Sequence, residues 1–348
     1  MKLTGYIGTY TKGDSKGIYS FTLDTEKKTL GDVKVAAELE NPTYVTISEN
    51  NENLYAVVRE GDLGGIASYS IKDGLLERIN SQVRDGAPPC HVSVDKKNTN
   101  VLSASYHHGT IESYLLEAGT IQPPVSTIPF KGSGPNKDRQ DNAHTHFSGF
   151  TPDGKYAVAV DLGCDKVATF HVNNGVLTEA CTVLVKAGSG PRHITFHPNG
   201  KYAYVMTELS NEVITLSYNP ENGILTELQY ISTIPNDFTE NNQGSAIHIS
   251  SDGRFIYAGN RGHNSIAIFR VNEGNDELTF VEHTSTEGDW PRDFVLDPTE
   301  KFLIATNQES SNVVLYERDI KSGKLTLLQS DVTVPDPVCV KFLNKASH

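Results

Sequence analysis

Residues 190–218 read GPRHITFHPNGKYAYVMTELSNEVITLSY. A short apolar run is followed by a polar turn, a second run opening on an aromatic, another polar turn and a third run. Runs of this length, bounded by Gly, Pro and Asn, are strand signals. The plan returns in residues 244–270, GSAIHISSDGRFIYAGNRGHNSIAIFR, and in residues 289–318, DWPRDFVLDPTEKFLIATNQESSNVVLYER. It stands again in residues 150–172, FTPDGKYAVAVDLGCDKVATFHV. Two more worn copies precede these: PTYVTISENNENLYAVVREGDLGGIASYSI at 42–71 and PCHVSVDKKNTNVLSASYHHGTIESYLL at 89–116.

With the start of the second run as anchor, the copies align on Leu54, Asn100, Tyr156, Tyr202, Phe255 and Phe302, at intervals of 46, 56, 46, 53 and 47 residues. A seventh copy is divided between the ends of the chain. PDPVCVKF (335–342) resembles a first strand, and LTGYIGTYTKGDSKGIYSFTLD (3–24) resembles a second and third. Stretches such as NPENGILTELQYIST (219–233) supply a fourth strand. Repeats of 46 to 56 residues with four strands each predict an all-β, seven-bladed β-propeller of four-stranded antiparallel blades, its last blade closed by both termini. The expectation is one propeller domain over residues 1–348. A β-sandwich or two packed β domains would also supply many short strands, but neither predicts six copies in a common phase.

Composition narrows the function. A net charge of −13 argues against nucleic acid, whose binding needs a basic surface to release counterions. An anionic small substrate stays open, provided a few arginines converge. MKLTGYIGTYTKG has no apolar segment after its first lysine, and no window of eighteen apolar residues occurs, so no membrane partner and a cytoplasmic location are expected. Cys90, Cys164, Cys181 and Cys339 lack Cys-x-x-Cys spacing, so neither a zinc knuckle nor a dithiol centre is expected. No cofactor or metal is expected, and the oligomeric state stays open between monomer and dimer.

The repeat phase maps candidate site positions. Ten residues before the anchors stand Tyr44, Cys90, His146, Arg192, Ser245 and Arg292; six residues after them stand Glu60, Tyr106, Leu162, Glu208, Arg261 and Gln308. Equal phase in a propeller means similar radius and height, so His146, Arg192, Glu208 and Arg261, from the third to fifth blades, are expected to be neighbours at loop ends. Buried Arg–Glu pairs are also common architecture. Yet two arginines, a glutamate and a histidine on one rim are costly without an anion or a reaction to compensate.

GPRHITFHPNGKYAYVMTELS, HTHFSGFTPDGKYAVAVDLGCDKV, SDGRFIYAGNRGHNSI and PCHVSV, in that company, resemble the seven-bladed propeller lactonases. This is the family of the bacterial propeller-type 6-phosphogluconolactonase and the fungal carboxymuconate lactonizing enzyme. The resemblance runs from YIGTYTKG near the N-terminus to PDPVCVKF. It implies a metal-independent, cytoplasmic enzyme acting on a lactone, with its site at one mouth of the central channel. The set used in the muconate branch, one histidine, two arginines and a glutamate, falls by motif on His144 or His146, Arg192, Glu208 and Arg261. It does not choose between hydrolysis and cycloisomerisation.

An imidazole suits activation of water, and a guanidinium suits a developing oxyanion. Base work is therefore expected of His146 or His144, and oxyanion stabilisation of Arg192. Arg261 is expected on the charged tail of a small anionic lactone, with Arg292 in reserve and His193 adjoining; Glu208 orients an arginine or a hydroxyl. His107 and His108 read as exposed turn residues. KGSGPNKDRQDN, residues 131–142, lengthens one interval and is read as a flexible loop or as a lid bringing Lys137 or Arg139 to an anion. A propeller serving only as a protein-binding platform is the remaining alternative.

Overall fold

The computed structural model describes residues 1–345. These form twenty-eight strands and no helix, arranged in seven four-stranded antiparallel sheets. The seven-bladed β-propeller class expected from the repeats is the class observed. None of the described residues forms a helix long and apolar enough to cross a membrane.

Contacts divide the chain into two compact units, and the division passes through the second blade. One unit comprises Ala104–Ser113 and Val125–Ser285 and holds the third, fourth and fifth blades. The third is built from Thr145–Phe150, Tyr156–Asp161, Lys166–Asn173 and Val176–Leu184. The fourth comprises Pro191–Phe196, Tyr202–Thr207, Glu212–Tyr218 and Leu225–Ser232. Gln243–Ile249, Phe255–Arg261, Ser265–Val271 and Leu278–Ser285 make the fifth.

Strand alternation explains why the middle strands are apolar on both faces. Along Tyr202–Thr207, Ala203 and Val205 enter a core with Tyr156, Val158, Val160 and Ile214. Tyr204 and Met206 point the other way, into a core with Ile247, Ile256 and Phe269.

The turn from first to second strand repeats its chemistry across six blades. Ser48, Asp95, Thr151, His197, Ser250 and Asp297 each accept a backbone N–H, at 2.8–3.1 Å, from the residue three positions on. Those residues, Asn51, Asn98, Gly154, Gly200, Gly253 and Glu300, all have positive φ. In five of the six, a side-chain oxygen of the turn's first residue also accepts an amide opening the second strand, as when Tyr156 N donates to Thr151 Oγ1 at 3.1 Å. His197 does the related work with its ring, accepting from Asn199 N at Nδ1, which accounts for it structurally.

In the other unit, Pro337–Phe342 pairs with Lys2–Thr9 and completes the sheet of Gly17–Asp24 and Thr29–Glu38. The closing strand begins two residues later than the PDPVCVKF motif, because Asp336 takes a left-handed conformation (φ 46°) that interrupts extended backbone. Val338, Val340 and Phe342 are buried, each contributing about 1.5–3 kcal/mol. Truncation before Pro335 therefore removes roughly 5–9 kcal/mol, on the scale of a whole domain's stability. The truncated protein is expected to melt at least 10 °C below the parent in a calorimetric scan; equal melting would refute this closure.

Candidate active site

The first strands of the third, fourth, fifth and sixth blades all slip register near their entrance. The slips fall between Thr145 and Phe147, Pro191 and His193, Gly244 and Ile247, and Pro291 and Asp293. A β-bulge turns the extra residue out of the ladder and re-aims its side chain. His146, Arg192 and Arg292 are such residues, so the shared phase seen in the sequence is a shared backbone device.

Glu208 is fixed first by its backbone. Its N–H donates to Gly190 O at 2.7 Å and its carbonyl accepts from Gly244 N at 3.1 Å. Position 244 needs glycine for this approach, since a Cβ there would stand 2.1 Å from Thr207 O. The carboxylate is then gripped by three guanidinium groups. Arg192 Nε lies 3.3 Å and Arg261 Nη2 3.2 Å from Oε2, while Arg139 Nη2 pairs with Oε1. Arg261 is held further by Gln243 O (3.3 Å) and Gly244 O (2.7 Å).

His146, Arg192, His193, Glu208 and Arg261 are only 3–6% exposed, so these charges act in a poorly screened setting. Burial alone would raise the Glu208 carboxyl. The guanidinium charges of Arg261 and Arg192, and with them Arg139, outweigh it and hold the group well below the usual carboxylate range. Glu208 is thus a fixed counter-ion and a poor proton acceptor. Three guanidiniums against one carboxylate leave a formal +2, a field suited to anions.

The two histidines of the His-x-His segment differ in what their rings meet. His144 stacks on Tyr106 at 4.3 Å; its Nδ1 meets Tyr106 O at 2.8 Å and its Nε2 meets Asp141 Oδ1 at 2.7 Å. Both partners are acceptors, so with both bonds made the ring has no lone pair to offer. His146 instead packs against His193 (5.2 Å between centroids) and edge-on to Tyr106 (6.0 Å). His193 also borders Phe147. Within this unit the structure brings together His146, Arg192, Glu208, Arg261 and His193, with His144 behind Tyr106. Arg292 belongs to the other unit, where its guanidinium lies 5.3 Å from the Tyr10 ring centre.

Residues 131–142 are built around Gln140, which is fully buried. Its Nε2 donates to Leu162 O (2.9 Å) and Asp165 Oδ1 (2.8 Å), and its N–H to Asn136 O. Asp165 also accepts from Gly188 N and Gly190 N, each at 2.8 Å. Asp161 accepts from His144 N, Thr145 Oγ1 and Cys164 N at 2.8–3.1 Å. Gln140, Asp161 and Asp165 were not singled out by the repeat reading; two acids in the tight turn DLGCD are the signal that amide donors there need acceptors. Lys137, His107 and His108 are exposed, and burial pushes the Cys164 and Cys339 thiols far up, away from nucleophilic thiolates.

Seven four-stranded blades and a buried carboxylate shared by three arginines define a β-propeller with a buried, net positive cluster. The chain belongs to the lactonase family of seven-bladed β-propellers, whose model ("Lactonase, 7-bladed beta-propeller") matches residues 4–342. It is 57% identical over 347 residues to the 6-phosphogluconolactonase of Bacillus subtilis (strain 168), covering 99% of both chains. A putative 6-phosphogluconolactonase structure from Bacteroides fragilis superposes with a TM-score of 0.91 at 34% identity, covering 99% of this chain and 98% of that one. The periplasmic gluconolactonase of Pseudomonas aeruginosa superposes at 0.92 with 30% identity, covering 99% of each.

Proposed function

We propose that the chain hydrolyses 6-phospho-D-glucono-1,5-lactone to 6-phosphogluconate, the lactone-opening step of the oxidative pentose phosphate route. The observation that carries this reading is the assembly of His146 with Arg192 and Arg261 around one buried carboxylate, in a chain of the lactonase family. A cytoplasmic setting is proposed with it, supported by the phosphorylated substrate of that reaction.

A water oxygen attacks the ring carbonyl carbon while a ring nitrogen of His146 takes its proton. The carbonyl electrons move to oxygen, and Arg192 stabilises the resulting oxyanion. Collapse re-forms the carbonyl and breaks the bond to the ring oxygen, which leaves as a hydroxyl with the proton held by His146. The new carboxylic acid then ionises and releases one proton to solvent. Glu208 keeps Arg192 and Arg261 charged and oriented throughout.

Carbon NMR of freshly generated phosphogluconolactone tests the reading. The ring carbonyl signal is expected to convert to the open carboxylate faster with protein than in buffer; a rate equal to buffer, or conversion of a carboxymuconate to its lactone instead, would overturn it. Arg192→Lys keeps the charge and loses the planar fork, so kcat is expected to fall about 100-fold with KM within a few-fold. An unchanged kcat would remove Arg192 from the oxyanion.

A further inference from the structure

We propose that Arg139 is the specificity-determining residue that reads the phosphate group of the substrate, carried to the site on the arm formed by residues 131–142. The inference rests on the lactonase reading above and assigns the recognition of the charged tail within it.

The three arginines on Glu208 are not equivalent. The side chains of Arg192 and Arg261 are 3% and 5% exposed, whereas that of Arg139 is 30% exposed. Arg261 is also bonded to Gln243 O and Gly244 O, so turning it toward a ligand breaks two backbone contacts. The Arg139 side chain has Glu208 Oε1 and Tyr106 as its partners, and Arg192 and Arg261 remain on Oε2 when Arg139 turns. Glu208 thus stays neutralised while the accessible guanidinium moves to a second anion.

The backbone under Arg139 is pinned while its head is accessible. Arg139 N donates to Asn136 Oδ1 at 3.2 Å, and the adjoining Gln140 is buried and bonded to Leu162 and Asp165. Gly134 permits this fold, because a Cβ there would lie 2.3 Å from Gln140 Oε1. A guanidinium on a fixed stem at the open side of a +2 site matches a phosphate monoester dianion, which it binds in paired, charge-assisted bonds. An uncharged lactone makes no such demand.

Steady-state kinetics of the full chain with phosphogluconolactone and with unphosphorylated glucono-1,5-lactone tests this. Arg139→Gln, which keeps a donor for Glu208, is expected to raise KM for the phosphorylated lactone about 10- to 100-fold, the worth of hydrogen bonds to a charged group. Its kcat stays within a few-fold, kcat/KM for the unphosphorylated lactone falls far less, and Arg139→Lys recovers part of the loss. Equal losses on both lactones would show that Arg139 only positions Glu208, and no loss on either would remove it from the site; both overturn the inference. Calorimetric titration with 6-phosphogluconate and gluconate separates this from failure of the lactonase reading, since it needs no turnover. Parent and Arg139→Gln should differ about 10-fold or more for the phosphorylated acid alone. Matching affinities would sink the phosphate assignment even in an active enzyme.

Discussion

Replacing His146 with Asn is expected to lower turnover of the lactone at pH 7 by about two to four orders of magnitude, the range for loss of a general base. The fold should be unaffected. The side chain stands at a bulge in Thr145–Phe150, where it is set out of the ladder, so strand pairing does not depend on the ring. The corresponding change at His144 is expected to lower kcat far less, because that ring is occupied by Tyr106 O and Asp141. Pre-steady-state rates of both variants, with circular dichroism as a folding control, decide the matter. Equal activities in the two variants would return both histidines to architecture.

The second large effect is on stability. Glu208→Gln leaves the guanidiniums of Arg192 and Arg261 buried without their counter-charge, and breaking a buried ionic arrangement from one side costs about 3–5 kcal/mol. The pH dependence has a definite sign. The Glu208 carboxyl is held below its unfolded value, so its contribution is complete above the unfolded pKa, about 4.3, and is lost as pH falls through the folded value. Denaturant unfolding at pH 7 should therefore show the variant well below the parent, and the gap should narrow in strong acid as the parent's own carboxyl is protonated. Equal stability of the two proteins at pH 7 would contradict the ionic account of the cluster.

Blade number, strand order and the split seventh blade were legible because each repeat states them independently. The site was legible in part, through phase. Arg192 and His146 share a position ahead of their anchors, and both prove to be bulge residues. Arg292 has that phase and that bulge as well, yet it lies over Tyr10. Phase fixes how a side chain leaves its strand, while the neighbouring blades, which are not repeats of one another in detail, fix what it meets. Between His144 and His146 the phase shared with Arg192 favoured His146, and the partners of the two rings differ in the same sense, His144 meeting Tyr106 O and Asp141 while His146 packs against His193. Arg139 was only one option on a long insertion, because residues 131–142 have no counterpart in the other copies and carry no phase. Its placement depends on Gln140 burying itself against Leu162 and Asp165, a contact that no periodicity announces.

The most direct measurement is proton release in a pH-stat at pH 7 from freshly generated 6-phospho-D-glucono-1,5-lactone, with buffer, parent and His146→Asn run side by side. Ring opening by the His146 route predicts release far above the spontaneous rate with the parent and a return to within a small multiple of that rate with the variant. Release by the parent indistinguishable from buffer, or release by the variant as fast as by the parent, would contradict it.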